Sequence, residues 1–152
     1  MVQVPAPAPV GQQADRIVIE KAAGRMTLLR DGQPLCRYRV ATGSGGPGPK
    51  RREGDRLTPE GTYHIAGRNP RSAYHLSLRI SYPAPADRAA AEARGENPGC
   101  DIMIHGLPNG RGWIGPLHRL RNWTAGCVAV TDAEIREIWA LVPDGTPVEI
   151  LP

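Results

Sequence analysis

Short runs in which apolar and polar residues alternate recur along most of the chain. This period of two is typical of half-buried β-strands, because successive side chains of a strand point to opposite faces of the sheet. Together with a few short continuous apolar runs, it predicts strands over residues 17–20, 26–30, 35–40, 62–66, 76–80, 102–104, 128–130 and 148–150. The dipeptide Asp31-Gly32 separates the second run from the third and predicts a hairpin turn.

A helical period appears clearly in one place, after residue 130. Thr131 and Glu134 have the spacing of a capping box, in which each residue satisfies a backbone N–H of the other. The apolar residues that follow share one helical face: Ile135, Ile138, Trp139 and Val142. The Ala-rich stretch 83–94 predicts a shorter helix that Gly95 and Pro98 end. We therefore expect a mainly β fold with one or two helices.

The segments between these elements define the organisation of the chain. Residues 41–55 and 107–116 are rich in Gly and predict surface loops. Residues 1–14 are rich in Pro and Ala and predict an extended, flexible segment, so the folded domain is expected over 15–152. No apolar run approaches the ~20 residues of a membrane span. The first residues lack the basic start and apolar middle of a secretory signal, which indicates a cytoplasmic protein or one whose export signal has been removed.

Composition and charge narrow the range of partners. A chain of 152 residues is long enough for one domain with a single core. The 18 Gly, 16 Pro and absence of Phe favour short elements joined by many turns. The formal net charge of +4 suits an anionic polymer, such as nucleic acid, an acidic lipid surface or the carboxylate-rich peptides of the bacterial cell wall. Because the Lys and Arg residues are scattered and no groove-reading motif is present, nucleic acid is the weaker choice.

Candidate chemistry concentrates between residues 102 and 130. His105 and Cys127 both lie at predicted strand ends, where loops present side chains to a substrate. A thiol beside an imidazole forms a thiolate–imidazolium pair, which is a strong nucleophile. Gly126 leaves room for a carbonyl near the Cys127 N–H, and the carbonyl of Gly106 is accessible for holding the imidazole in one tautomer. These residues together predict acyl transfer through a thioester, with Cys127 as nucleophile and His105 as base.

The same residues resemble the signature of the L,D-transpeptidase catalytic domain, YkuD type. In that family an Ile-His-Gly stretch precedes a Ser/Thr-x-Gly-Cys stretch, as Ile104-His105-Gly106 precedes Thr124-Ala125-Gly126-Cys127 here. Residues 54–63 are similar to the family's Gly-Asp-x-x-Thr-Pro-x-Gly-x-Tyr element, and residues 142–150 resemble its closing strand. Residues 78–83 and 110–130 most resemble the Gram-negative branch, which includes murein-trimming and lipoprotein-releasing members.

The resemblance implies a β-sandwich-like catalytic domain that acts on peptidoglycan stem peptides in the periplasm or cell envelope. Cys127 is expected to attack the diaminopimelate carbonyl of a tetrapeptide stem and release D-Ala. His105 takes the thiol proton, the Gly106 carbonyl orients His105, and the backbone of Gly126 and Cys127 forms the oxyanion hole. The implied protein needs no cofactor or metal, works as a monomer, and is acylated by carbapenems at Cys127.

The acceptor of the acyl group determines which reaction results. An amine of a second stem gives a 3→3 cross-link or exchange of the terminal D-amino acid, whereas water gives carboxypeptidase or amidase hydrolysis, including release of an envelope lipoprotein. Many family members have His where this chain has Ala125, and Asn or Arg where it has Ala129. His118 is a candidate for the missing polar group.

The remaining substrate-site candidates lie along the predicted loops and strands, and each also has a structural interpretation. We include Thr124, Ala125 and Gly126 from the motif itself. Trp113 and Trp123 are candidates for the wall of a groove, and Tyr63 for a substrate contact, although a packing role suits both Tyr63 and Trp123.

Other interpretations remain at this stage. His105, His118 and Cys127 could be zinc ligands of a metallohydrolase, but the short pairs typical of such sites are absent. An inactive peptidoglycan-binding module is a third possibility. Cys36 fits a small buried hydrophobe, or it could bond to Cys100 in an oxidising compartment.

Overall fold

Eight strands form one continuous mixed sheet in the computed structural model, which describes residues 3–152. In chain order the strands are β1 (Arg16–Glu20), β2 (Arg25–Arg30), β3 (Gln33–Arg39), β4 (Gly61–Ser72), β5 (His75–Ile80), β6 (Met103–His105), β7 (Val128–Ala129) and β8 (Pro147–Leu151). Their order across the sheet is β3-β2-β1-β8-β4-β5-β6-β7. Every predicted strand is present, with ends that differ by a few residues except in β4.

The hairpin between β2 and β3 has the turn that the sequence predicts. Asp31 and Gly32 have φ values of 49° and 75°, so both central residues adopt the left-handed conformation of a type I′ turn. Asp and Gly tolerate this conformation better than other residues, which explains their place between two strands.

Strand β4 joins the two halves of the sheet and is longer than predicted. Its first residues, 61–64, pair with β8, and its later residues pair with β5. The register shifts between Ile65 and Gly67 and again between Asn69 and Ser72. The extension beyond residue 66 is polar and contains Pro70, so the apolar alternation gives no sign of it, yet pairing with β5 holds it in the sheet.

The two edges of the sheet approach each other. Just after the edge strand β3, Ala41 exchanges hydrogen bonds with Ala129 of the opposite edge strand β7, with N–O distances of 3.1 and 2.8 Å. The sheet therefore encloses its apolar face, where Ile17, Leu28, Leu78, Ile104 and Val148 are fully buried. The mainly β prediction is confirmed, and the two halves of the sandwich-like core belong to one sheet.

Two α-helices accompany the sheet, α1 (Pro85–Ala93) and α2 (Asp132–Leu141). The predicted capping box of α2 is present: Glu134 N donates to Thr131 Oγ1 at 3.2 Å, and Thr131 N donates to Glu134 Oε1 at 2.9 Å. Ile135, Ile138 and Trp139 are the buried face of α2, which packs on β5 and β6. The helix thus begins close to the strand that ends at His105.

The loop predicted over 107–116 differs in the structure. Residues Gly112–Leu120 form 3-10 turns, interrupted at Gly115, which has a φ of 53°. Such short turns have no apolar period of their own, so the sequence pattern does not reveal them.

The N-terminal segment contacts the end of α2. Ala8 N donates to Ala140 O and Ala14 N donates to Leu141 O, both at 2.8 Å. These carbonyls belong to the last turn of α2 and have no partner within the helix, so the segment satisfies them. The flexibility of residues 1–14 stays a prediction, and Met1 and Val2 lie outside the described residues. In the described part of the chain, no helix is long and apolar enough to cross a bilayer.

Replacing Thr131 with Ala should lower the free energy of unfolding by about 1 kcal/mol, because the first turn of α2 loses its side-chain acceptor. Thr131→Ser keeps the hydroxyl and should retain most of the stability. Urea unfolding followed by circular dichroism measures both variants. Equal stability of Thr131→Ala and the wild type would contradict a capping role for Thr131.

Candidate active site

The pairing of β6 with β7 brings His105 and Cys127 to the same face of the sheet. These strands are parallel, with Ile104 opposite Val128 and His105 opposite Ala129. Continuing this register by one residue places Cys127 beside Met103. Because side chains alternate along a strand, Cys127 and His105 point to the same side and are offset by two positions.

The thiol of Cys127 lies among backbone groups of the segment before β6. Its Sγ donates to the carbonyl of Asp101 at 3.3 Å, and the backbone N–H of Met103 acts to lower the pKa of the thiol. Burial raises the pKa of the Cys127 thiol, and the Met103 N–H only partly opposes this effect. The sulfur is therefore protonated at neutral pH in the free protein.

The imidazole of His105 is buried and held by its own neighbour. The ring nitrogen Nδ1 lies 2.6 Å from the carbonyl oxygen of Gly106, which is the contact expected from the sequence. Since a carbonyl only accepts, Nδ1 carries the proton and the neutral ring has its free lone pair on Nε2. Burial lowers the pKa of His105, although the Gly106 carbonyl acts in the opposite direction.

These two findings bear on the expectation of a thiolate–imidazolium pair. Burial disfavours the charged form of both groups, so it opposes charge separation between the thiol and the imidazole in the free protein. The Cys127 thiol donates its hydrogen bond to the Asp101 carbonyl and not to His105. Catalytic hydrogen bonds are often poorly aligned in a ligand-free protein and tighten when substrate binds, so this geometry is compatible with proton transfer to His105.

Two aromatic rings fix the position of His105, and Tyr74 is the one that sequence reasoning missed. The ring of Tyr74 stacks on the imidazole with centroids 4.2 Å apart, and the ring of Trp123 lies 6.0 Å away at a tilted angle. Tyr74 comes from the turn between β4 and β5, and its carbonyl accepts from the Gly106 N–H at 3.0 Å. No motif marks this tyrosine in the sequence.

Position 106 requires glycine because neighbouring atoms lie too close to its backbone for a side chain. A Cβ at this position would lie 2.7 Å from Asp132 Oδ1 and 3.0 Å from the carbonyl oxygen of Tyr74. The same carboxylate accepts from the N–H of Leu107 at 2.9 Å. The first residue of α2 therefore anchors the chain just after His105.

The turn before Cys127 is closed by Thr124. The Oγ1 of Thr124 donates to the carbonyl of Cys127 at 2.7 Å and accepts from the N–H of Gly126 at 3.1 Å. Gly126 has a φ of 136°, and a Cβ there would lie 2.8 Å from the Leu57 carbonyl oxygen. Since the Gly126 N–H is engaged, only the Cys127 N–H remains from the predicted pair of oxyanion donors.

Thr58 attaches this turn to the neighbouring loop. Its side chain is 1% exposed; its Oγ1 accepts from the Gly43 N–H at 3.0 Å and donates to the Gly126 carbonyl at 2.9 Å. Lys21 Nζ donates to the Thr58 carbonyl at 2.7 Å. The sequence contained a signal for this support, because Thr58 belongs to the stretch 54–63 that resembles the family element.

The structure joins His118 to the site and separates the other aromatic candidates from it. His118 is 7% exposed, and its Nδ1 accepts from the Trp123 indole N–H at 3.2 Å. Trp113 is 82% exposed and lies on the 3-10 segment. Tyr63 is buried in the core beside Tyr82, and its hydroxyl donates to Asp87 at 3.0 Å, which is the packing role considered from the sequence; its substrate contact stays a prediction. The Tyr63 hydroxyl reaches Asp87 of α1 because its side chain lies on the buried face of β4.

The two alanines of the motif have different surroundings. Ala125 is exposed beside the nucleophile, whereas Ala129 is fully buried and exchanges backbone hydrogen bonds with Ala41. Neither provides a polar group near Cys127.

None of the three cysteines forms a disulfide bond. Cys36, Cys100 and Cys127 are all free thiols, and the sulfur of Cys36 lies 3.1 Å from Glu137 Oε1. The Cys36–Cys100 bond considered from the sequence is therefore not formed here. Within residues 3–152, no three His, Cys, Asp or Glu side chains are gathered as a metal site, and this includes His105, His118 and Cys127.

Thr58→Val removes the hydroxyl that serves Gly43 and Gly126 and leaves both backbone groups without a partner. We expect the free energy of unfolding to fall by about 1–3 kcal/mol, since buried polar groups are costly when unsatisfied. Urea unfolding measures this loss. Thr58→Ser should restore the stability, and the same change at the exposed Thr62 on β4 is the matched control. An equal effect at both positions would argue against the bridge.

The pH dependence of Cys127 alkylation tests the protonation state of the pair. Because burial raises the pKa of Cys127, iodoacetamide should react with a rate that rises only above the ordinary cysteine range of ~8.5. Peptide mass spectrometry resolves the three thiols, and the urea-unfolded chain is the reference. A rate plateau below pH 7 that His105→Gln abolishes would instead indicate a preformed thiolate–imidazolium pair.

Comparison with known proteins finds the same family that the sequence motifs resemble. The family model described as L,D-transpeptidase catalytic domain, YkuD, matches residues 14–150. The chain is 32% identical over 121 residues to the "Putative L,D-transpeptidase YafK" of Escherichia coli (strain K12), which covers 78% of this chain and 39% of that protein. This relative comes from a Gram-negative bacterium, as the sequence resemblance predicted.

Solved structures share the fold at lower identity. The helical cell shape determining protein Pgp2 from Campylobacter jejuni has a TM-score of 0.68 and 24% identity, over 90% of this chain and 47% of that one. LD transpeptidase LdtMt1 in complex with imipenem has a TM-score of 0.57 and 18% identity, over 89% and 57%. The chain thus spans about half or less of the length of the relatives named first. The match over residues 14–150 shows that the chain belongs to the L,D-transpeptidase catalytic domain family, YkuD.

Proposed function

We propose that this domain is a peptidoglycan L,D-transpeptidase of the cell envelope that works through a thioester on Cys127. The observation that carries the proposal is the placement of Cys127 and His105 on one face of the paired strands β6 and β7. The contact of His105 Nδ1 with the Gly106 carbonyl leaves Nε2 as the basic nitrogen, as a proton acceptor for the thiol requires. Family membership supports peptidoglycan as the substrate.

The first half-reaction transfers the acyl group to the protein. When a tetrapeptide stem binds, the Cys127 S–H turns from the Asp101 carbonyl to His105 Nε2. The sulfur attacks the diaminopimelate carbonyl carbon as its proton passes to Nε2. The Cys127 N–H donates to the resulting oxyanion. The carbon–nitrogen bond then breaks, and D-Ala leaves with the proton from His105, so that a thioester and a neutral imidazole remain.

The second half-reaction returns the thiol. An amine of another stem attacks the thioester carbonyl, its proton passes to His105 Nε2, and the carbon–sulfur bond breaks. The sulfur takes the proton back from His105, and the product is a cross-link between two diaminopimelates. The neutral starting state suits this sequence, because the imidazole accepts and returns one proton in each half.

Hydrolysis is the second candidate reaction, with water in place of the amine. The observation in its favour is Ala125, which is exposed beside Cys127 and offers no polar group to hold an acceptor amine. Its products would be trimmed stems or, where the stem carries one, a released envelope lipoprotein.

Cys127→Ala should abolish conversion of purified tetrapeptide muropeptides, with a loss of at least about 10³-fold, because no other group can form the acyl intermediate. Mass spectrometry distinguishes the two reactions: dimers linked between diaminopimelates indicate transpeptidation, and tripeptide alone indicates hydrolysis. Cys100→Ala, at an exposed free thiol, is the matched control and should keep wild-type turnover. Turnover by Cys127→Ala would disprove the assignment.

Carbapenem acylation is a second readout of the same variants. Intact-mass spectra should show one added carbapenem on the wild type and on Cys100→Ala, and none on Cys127→Ala. A wild-type protein that forms no adduct and converts no muropeptide would refute the proposed function.

A further inference from the structure

His118 has a fixed tautomer because of its neighbour. The indole N–H of Trp123 only donates, and it donates to His118 Nδ1 at 3.2 Å. Nδ1 is therefore unprotonated, and the proton of the neutral ring lies on Nε2. Burial and the charge of Arg119 lower the pKa of His118, so the ring is neutral at physiological pH.

The Nε2–H of His118 is a buried donor without an acceptor. The residue is 7% exposed, and within residues 3–152 its Nε2 has no hydrogen-bond partner. A buried N–H that lacks an acceptor is unfavourable, and native proteins rarely keep one without a reason. A ligand atom is one way to satisfy it.

The space beside His118 has the character of a small ligand site. His118 lines a cavity of about 410 Å³, together with apolar side chains that include Ile114, Leu117 and Trp123. Arg111 and Arg121 lie on its wall, and neither forms an ion pair with any described residue. No acidic residue of the described chain lines it. Two guanidinium groups and a neutral N–H donor favour an anionic acceptor such as a carboxylate.

Trp123 connects this cavity to the reacting groups. Its ring contacts His118 through the indole N–H and faces the imidazole of His105 with centroids 6.0 Å apart. Leu107, on the cavity wall, follows His105 by two residues. The cavity is thus adjacent to the proposed catalytic base, because Trp123 lines it and also lies against His105.

We propose that this cavity is a subsite for the C-terminal carboxylate of the stem peptide, and that His118 Nε2–H is its buried hydrogen-bond donor. The small apolar side chain of the terminal residue would lie on the apolar wall, and Arg111 or Arg121 would supply the opposite charge. The identity of the peptide rests on the proposed function, whereas recognition of a carboxylate rests on His118 and the two arginines. His118 is then a specificity-determining residue.

Kinetics with two substrates test this role. The tetrapeptide stem with a free C-terminal carboxylate is compared with the same peptide ending in a carboxamide. In His118→Phe, kcat/KM for the acid should fall by about 10- to 100-fold, and kcat/KM for the amide by less than about threefold, because only the acid uses a charged acceptor. His118→Gln retains an N–H at a similar position and should recover part of the preference for the acid.

The matched control is His64→Phe, at an exposed histidine of β4, which should leave both values unchanged. Equal losses for acid and amide in His118→Phe would indicate a structural role and overturn the proposal. No loss for either substrate would overturn it as well.

Direct binding separates the subsite from the enzyme activity. Titration of the 15N-labelled wild-type protein with N-acetyl-D-alanine should shift the Nε2 resonance of His118, and N-acetyl-D-alanine amide should not. This result would support the subsite even if no muropeptide were converted, in which case only the proposed function would fail. An unshifted His118 resonance, or an equal shift with both compounds, would refute the subsite.

Discussion

Parallel pairing between β6 and β7 is the constraint on which the rest of the site depends. Each strand is only two or three residues long, yet the register sets Ile104 opposite Val128 and so positions His105 relative to Cys127. So short a pair has few hydrogen bonds of its own. It is supported from outside by Ala41 at the free edge of β7 and by Thr58 at the turn before Cys127. The loop after β3 therefore contributes to the site although it contains none of the proposed reacting groups.

Burial determines the protonation state of the proposed catalytic pair. An imidazole and a thiol in exposed positions could separate charge at little cost, but here both are shielded, and the pKa of each is shifted toward its neutral form. In the proposed reaction the proton moves to His105 when the sulfur attacks, so a positive charge on the imidazole and a negative charge on the substrate oxygen develop together. The nearby Cys127 N–H is then an appropriate donor, since it contributes to the transition state without creating a buried charge in the free protein.

Trp123 contacts both His105, the proposed base, and His118, the proposed donor of the subsite. One side faces His105, and its N–H holds His118 in a single tautomer. The 3-10 segment that contains His118 is thereby attached to the strand that ends at the base. A peptide bound near His118 would contact the same indole ring that packs against His105, so the proposed subsite and the proposed base share one neighbouring side chain.

The sequence by itself determined the classes of element and the identity of the central residues. Alternation predicted the strands, the spacing of Thr131 and Glu134 predicted the cap of α2, and the motif around His105 and Cys127 predicted the family. These features are local, because each depends on neighbours within a few positions along the chain. The same is true of the contact between His105 and the Gly106 carbonyl.

Tertiary structure alone decided which distant residues surround that pair. Tyr74, Thr58 and His118 are brought to the site by the β4–β5 turn, the long loop after β3 and the 3-10 segment. The sequence marked Thr58 through the stretch 54–63 and His118 as a candidate polar group, but no local pattern encodes how these segments approach one another. Tyr63 lies in the stretch 54–63 that resembles the family element, yet its side chain packs into the core. The register of β4 decides to which face of the sheet this side chain points. Protonation also belongs to this level: the sequence predicts a reactive ion pair, whereas burial, which only the folded chain creates, shifts the pKa of each group toward its neutral form.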